Sequence, residues 1–438
     1  MKFTVCHQSG CSAGLWWWPA AALLFILPFD HTMVLRLFCL LLTGVAAARL
    51  YFRTPVPPLP LKGPLALWAG LAALSLLWSF NPQVSLNELK AEVGYAVLAF
   101  YSFFVLTRGE REWRLGLTAL AGGLVTSALL LIWNNRAHLL SFVEYDWYAL
   151  DRGVLYSTHL VLIAPFLLYL WLRAPLARFP HNLAWLLLPV FLGAGYMTLN
   201  RMFWPSLAMV LLVYAFLWRR AAHGARRGGW GVPAVAALGL AVAFFLFADV
   251  ATQRPVEAHV EAHAASDSDS DSASRVIETL QRSERYEIWG FWLERVAERP
   301  LLGVGFGRNL PRDVYADQKP PHWIDVMFAH GHNLFLDYAL QLGVAGLAVL
   351  LLLLASLLRA FWGLFRNPHA DVSLVGICGV ALLVAMVSKN MTDDLFWRGN
   401  GLLFWALAGM TLGYGKRLED RYRTPDEVRP HVVIPKRG

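Results

Sequence analysis

Gly343-Val-Ala-Gly-Leu-Ala-Val-Leu-Leu-Leu-Leu-Leu-Ala-Ser-Leu-Leu358 contains no charged side chain, and Arg359 closes it. Extended back to Asn333, it makes an apolar stretch, 333–358, longer than the ~20 residues a helix needs to cross roughly 30 Å of hydrocarbon. Eleven further stretches read the same way: 15–29, 33–51, 63–80, 90–107, 115–134, 153–172, 183–199, 203–218, 231–248, 372–389 and 398–415. Pro19 and Pro28 make the first of them short. Composition agrees: of 438 residues 57% are hydrophobic and 16% charged, where a soluble domain carries about a quarter charged. Nineteen Trp suit an aromatic belt at the two membrane interfaces. The expected fold is an all-α integral membrane protein of about 12 transmembrane helices.

Basic residues orient it. Alternate short loops hold Arg49, Arg53 and Lys62; Arg108, Arg111 and Arg114; Arg173 and Arg178; Arg219, Arg220, Arg226 and Arg227; and Arg359 and Arg366, while the other loops are poor in Lys and Arg. The positive-inside rule puts both termini in the cytoplasm. The net charge of +8 would suggest nucleic acid in a soluble protein; here topology accounts for it, and no nucleic-acid partner is expected. The chain then divides into nine spans over 1–248, an external loop with helical segments over 249–332, three spans over 333–415, and a cytoplasmic tail over 416–438. The first apolar run leads directly into a second, as in a multispan protein and unlike a cleaved signal peptide.

Several patterns resemble sites without the context a site needs. Cys6, Cys11, Cys39 and Cys378 are scattered, two of them inside apolar runs, which argues against a disulfide framework. Cys6-His7 with Cys11 matches no zinc spacing. His259-Val-Glu-Ala-His263 is not the metalloprotease signature, and the Ser266–Ser272 run of alternating Ser and Asp has too little to bury and reads as a solvated linker. Gly303-Val-Gly-Phe-Gly307 has the glycine density of a dinucleotide loop, but it follows a helix and Pro300, not a strand, and lies outside the cytoplasm. No cofactor and no metal are expected.

Charge is nearly absent from the span centres, whereas ion-coupled transporters usually carry ionisable groups at the midplane. Polar residues gather instead at the external helix ends, which favours chemistry at the membrane surface. Arg201, in Leu199-Asn-Arg-Met-Phe-Trp-Pro205, sits in a tight external turn before a helix whose N-terminus suits an anion; the plain alternative is an arginine snorkelling to headgroups. Arg285, in Arg282-Ser-Glu-Arg-Tyr-Glu-Ile-Trp289, shares a helical face with Ile288, Trp289, Trp292 and Val296. Ala329-His-Gly-His-Asn333 opens the tenth span, and a histidine there can take a proton from an incoming hydroxyl, or simply cap the helix. Arginine forks match phosphate oxygens, so two external arginines with one histidine suit transfer away from a phosphate leaving group.

At this point the sequence resembles the O-antigen ligase (WaaL) family, within the O-antigen ligase/polymerase superfamily. The family pattern is His, then Asn, Ser or Gln, nine residues, Gly-x-x-Gly, then Thr or Val; here His332-Asn333 is followed by Gly343-Val-Ala-Gly346, with Leu347 as the one departure. Arg285 with Trp289, the run Pro300–Gly307, Asn200-Arg201 and Arg152-Gly-Val-Leu-Tyr156 are similar to further family features. The resemblance implies a GT-C-like, metal-independent glycosyltransferase of the Gram-negative inner membrane with its active site facing the periplasm. It would move O-antigen from undecaprenyl diphosphate to lipid A-core in contact with membrane lipid. His332 would be the general base, with Arg201 and Arg285 holding the diphosphate; Arg152, Arg282, Arg308, His330 and Asn333 are candidate substrate-binding residues. An O-antigen polymerase or a protein O-oligosaccharyltransferase shares this logic and differs in acceptor. A flippase or exporter of lipid-linked sugars would need a polar path through the bundle.

Overall fold

A computed structural model describes residues 16–136, 150, 153–173, 181–221, 239–240, 284–323, 325, 328–392, 394 and 396–423. Among them the regular structure is helical: α1 (Trp18–Ile26), α2 (Met33–Arg53), α3 (Lys62–Leu74), α4 (Pro82–Leu106), α5 (Glu110–Asn134), α6 (Gly153–Arg173), α7 (His181–Met197), α8 (Phe203–Arg220), α9 (Glu284–Glu298), α10 (Leu310–Val314), α11 (Leu334–Phe365), α12 (Ala370–Lys389) and α13 (Arg398–Arg423). Six of these, α2, α4, α5, α6, α11 and α12, are long and apolar enough to cross a membrane. The expected span 231–248 lies outside the described residues except for 239–240, as do Cys6, Cys11, His259, His263 and the Ser266–Ser272 run.

Two expected spans take a different form. The first is a helix of only 9 residues, about 14 Å at 1.5 Å per residue, because Pro19 fits only its first turn and Pro28 follows its end. It is nonetheless inside the bundle, with Trp17 and Leu24 fully buried against α5 and α2. The tenth, expected as one unbroken run, is bent. Gly343 has φ 63° and ψ −160°, which divides α11 into a leg of 334–342 and a longer leg of 344–365.

α12 is the central helix, packed on α11, α8, α6 and α13, and α13 lies along α4. The α13–α4 approach rests on Gly409 and Gly413, a small-xxx-small pair; a Cβ at Gly413 would lie 2.6 Å from the Phe104 carbonyl oxygen, and one at Gly409 would collide with that of Phe100. α13 continues past the expected end at 415 because Arg417 donates to the carbonyls of Phe104 (2.8 Å) and Val105 (3.1 Å), the orphan acceptors at the end of α4. Outward faces are apolar: Val34 is 83% exposed, Phe52 84% and Leu77 82%, a pattern that fits lipid rather than water.

At one end of the bundle sits a second, smaller core. Ile288 and Trp292 of α9 bury with Val304, Leu310, Tyr315, Trp323 and Phe328 against Leu340 on the short leg of α11. Trp292 stacks on Phe328 at 5.3 Å, and Glu287 accepts from Trp323 Nε1 at 2.9 Å and pairs with His322 at 2.8 Å. Those two bonds hold the Glu287 carboxyl below the usual range. The stretch between the ninth and tenth expected spans is therefore a packed layer from Glu284 onward, seated on the membrane helices.

Candidate active site

The glycine-rich loop that follows Pro300 has a structural task. Where α11 breaks at Gly343, the loop supplies the missing hydrogen bonds: Val304 N–H donates to Leu340 O (3.1 Å), Gly305 N–H to Gln341 O (2.8 Å), and Val344 N–H to Pro300 O (2.8 Å). Gly303 and Gly343 both have φ 63°, and each faces the backbone of the other's segment, where a Cβ would clash. Phe306 N–H donates to Ser75 Oγ (3.1 Å) and Gly307 N–H to Gln341 Oε1 (2.9 Å). All four N–H groups from Val304 to Gly307 are thus spent within the protein, so this loop is no phosphate cradle. It delivers Arg308.

Arg308 is only 12% exposed in its side chain. Its Nη2 lies 2.7 Å from His330 Nε2 and donates to the Asp394 carbonyl at 2.5 Å, its Nε is 3.5 Å from Asp394 Oδ2, and its guanidinium lies 4.4 Å over the Trp397 ring. Arg398 covers the same Trp397 at 4.0 Å. Because a guanidinium can only donate, His330 Nε2 is the acceptor there, and the other ring nitrogen, Nδ1, lies 3.2 Å from Asp337 Oδ2. The other Asp337 oxygen accepts from Gly331 N–H at 2.6 Å. Asp337 and Asp394 are buried and hydrogen-bonded to each other. Burial, reinforced by Asp337 and opposed by Arg308, pushes the Asp394 carboxyl up to about 6.

His332 lies on top of this network. Its ring is 4.0 Å from that of His330, its backbone N–H is 3.0 Å from His330 Nδ1, and its ring is half-buried where that of His330 is buried. Its φ is 48°, a left-handed conformation that costs a non-glycine residue about 1 kcal/mol or more and concentrates at functional sites. Asn333 caps the short leg of α11: its Oδ1 accepts from Phe335 N–H (2.9 Å) and Leu336 N–H (3.2 Å), and its amide donates to Met391 O (2.7 Å).

The Arg201 turn adjoins the same end. Asn200 Oδ1 accepts from Met202 N–H at 3.0 Å and from Lys389 Nζ at 2.9 Å, and Leu199 takes φ 48° to make the bend. Lys389 ends α12; the next residue's carbonyl, Asn390 O, accepts from Leu334 N–H at 3.0 Å. Residues 389–391 are therefore the bridge between the Arg201 turn and the His332 segment. Arg285 is half-buried at the start of α9, on the face that Ile288 and Trp292 bury toward α11. Arg152 and Arg282 lie outside the described residues.

Asp337, Asp394, Trp397, Arg398 and Lys389 did not stand out in the sequence, nor did Glu88 and Glu92 of α4. Glu92 accepts a hydrogen bond from the Arg398 backbone N–H and shares its surroundings with Arg308, Asp394 and Glu88. It is placed by a π-helical turn, Leu89–Gly94, of the kind often found at functional sites. The one legible signal was the polar run from Lys389 to Asp394 between two apolar stretches.

The fold and this polar layer define the class: an all-helical membrane protein with a buried ionisable cluster at one end of its helices. Residues 185–351 match the family model described as O-antigen ligase, in agreement with the resemblance carried by His332 and Gly343, and supporting a glycosyl-transfer enzyme of the ligase/polymerase superfamily. The matched stretch takes in the Arg201 turn, Arg285, the glycine loop, Arg308, both histidines and Gly346; the run 389–398 lies beyond it. No curated protein matches the chain.

Proposed function

We propose that this protein is a lipopolysaccharide O-antigen ligase of the Gram-negative inner membrane, spanning it about twelve times in a GT-C-like arrangement with both termini cytoplasmic and the polar layer in the periplasm. It transfers O-antigen from undecaprenyl diphosphate to a sugar hydroxyl of lipid A-core. The observation that carries this reading is the meeting of the Arg201 turn and the His332 segment across 389–391. A cationic turn beside a half-buried imidazole serves the two demands of the reaction. The acceptor hydroxyl passes its proton to His332 as its oxygen attacks the anomeric carbon. The bond to the diphosphate oxygen breaks, and the electron pair leaves on a diphosphate whose charge Arg201 and Arg285 stabilise. Arg152 and Arg282 would extend the hold on substrate. Arg308, His330 and Asn333, read from the sequence as substrate ligands, support the site from behind through the bonds given above.

The test is a gel shift. Purified protein is given undecaprenyl diphosphate-linked O-antigen with lipid A-core as the added acceptor. A shifted lipid A-core band, absent with His332→Ala and unchanged in excess EDTA, is the expected result. Lengthened donor chains with untouched lipid A-core would make the protein a polymerase, and a glycan transferred to protein serine would make it a protein O-oligosaccharyltransferase. Donor translocation into vesicles without transfer would replace the enzyme reading with a flippase.

A further inference from the structure

Lys389 ends α12 and is only 1% exposed. A helix C-terminus favours a cation, but an exposed lysine would satisfy that, and lysine is almost never fully buried unless it is paired. Its usual habit is to lay the stem along apolar surface and keep the amine in water. Here the amine is buried with the stem, and Nζ donates to Asn200 Oδ1 at 2.9 Å. An apolar side chain of the same length would fill that space without desolvating an amine, and replacements of buried charge by apolar groups are often neutral or stabilising. Packing alone therefore gives no reason for the amine.

What it holds is the Arg201 turn. That turn is closed by its own short-range bonds: Thr198 Oγ1 donates to Gly195 O (2.6 Å), Leu199 N–H to Tyr196 O (3.0 Å), Met202 N–H to Asn200 Oδ1 (3.0 Å) and Phe203 N–H to Asn200 O (3.0 Å). These bonds fix the shape of the turn and not its place relative to the His332 segment. Asn200 Oδ1 accepts from both Met202 N–H and Lys389 Nζ, so one oxygen joins the shape of the turn to the end of α12. The residues after Lys389 carry the tie onward: Asn390 O accepts from Leu334 N–H (3.0 Å) and Met391 O from Asn333 Nδ2 (2.7 Å). We propose that Lys389 is a positioning residue for Arg201: through Asn200 it sets where the Arg201 turn stands relative to His332, and so where its guanidinium meets the diphosphate. Lys389 touches no substrate. The inference rests on the reading of Arg201 as a diphosphate ligand and deepens it by naming what aims the fork. Two-point recognition of phosphate depends on that aim, and misplacing a binding group by about 1 Å can cost roughly 10²-fold.

Two substitutions cut the same bond from its two ends. Lys389→Met keeps the stem and removes the donor, and Asn200→Ala removes the shared acceptor. Each is made in the full chain, with folding checked by the thermal midpoint. Binding of undecaprenyl diphosphate to the purified protein in detergent is measured first, then transfer with donor and lipid A-core varied in turn. Diphosphate affinity is expected to fall roughly tenfold in both variants, with the donor KM rising alongside it and the acceptor KM staying at its wild-type value. In an Arg201→Ala background Lys389→Met should weaken binding no further, because residues that act through one another are not additive. A bundle that is merely loosened would move the acceptor KM as well, and its loss would add to that of Arg201→Ala. Unchanged diphosphate affinity in folded Lys389→Met, or an additive loss in the Arg201→Ala background, overturns the proposal. If Lys389→Met does not fold, Asn200→Ala and its combination with Arg201→Ala decide alone. A non-additive loss of diphosphate binding in a protein that transfers no glycan would uphold the coupling and overturn the ligase reading instead.

Discussion

The two sides of the His332 segment differ in charge. On one side, the Arg201 turn and Lys389 meet at Asn200; on the other, Asp337, Asp394, Glu88 and Glu92 surround Arg308. A glycosyl transfer from a diphosphate asks for this division. The departing group gains negative charge and needs cations, whereas the incoming hydroxyl gives up a proton and needs a base with a place for positive charge to rest. A uniformly basic pocket would hold the diphosphate and suppress the base. A uniformly acidic one would repel the donor.

Substitutions on each side can break or sharpen that division. The largest effect belongs to His332→Ala, between the two sides: transfer should fall by about 10²–10⁴-fold with the thermal midpoint near wild type, and wild-type ligation rates would remove the base assignment. Arg201→Ala should follow, with a loss of roughly 10²-fold when an electrostatic donor is removed. Arg201→Lys should recover only part of it, because a point charge does not reproduce the fork; full recovery in a kinetic assay would show that charge alone is used. Gly343→Ala strains a φ of 63° and drives a Cβ into the Leu301–Leu302 backbone, so a stability loss of about 1–3 kcal/mol is expected in thermal unfolding. If stability were unchanged, the glycine loop would not be the latch that holds Arg308. Asn333→Ala has the smallest effect, a lost helix cap worth ~1 kcal/mol. Asn333→Ser or Asp should restore stability and activity together; activity that stays low after the cap is restored would return Asn333 to the substrate contacts.

Much of this was legible because crossing a membrane is a property of a window of sequence. Apolar length and the absence of charge located α2, α5, α6, α7, α8 and α12 within a few residues; α4 begins earlier than expected, α11 and α13 run on past their expected ends, and the short α10 gave no apolar signal. The His332-Asn333 and Gly343–Gly346 spacing pointed to a stretch inside the matched residues 185–351, and the periodicity of 285–296 put Arg285 on the face of α9 that Ile288 and Trp292 bury. The task of the glycines of 303–307 was not legible, because it lies in hydrogen bonds to the break in α11 that no spacing reveals. Asp337 and Lys389 were passed over because a lone charge near a span end reads as an interfacial anchor. Glu92 was hidden by a π turn, and the bend at Gly343 looked like part of one long helix.

By itself, then, the sequence determined that the chain is a helical membrane protein and pointed to helix ends and to His332 as the place for its chemistry, because hydropathy and local motifs are properties of neighbouring residues. Only the tertiary structure decided that Asp337, Asp394, Arg308 and His330 form one cluster beneath His332, and that 389–391 joins it to the Arg201 turn. Those contacts link residues up to 189 positions apart. The worth of a buried charge depends on the partners that surround it, and those are fixed only when the helices pack.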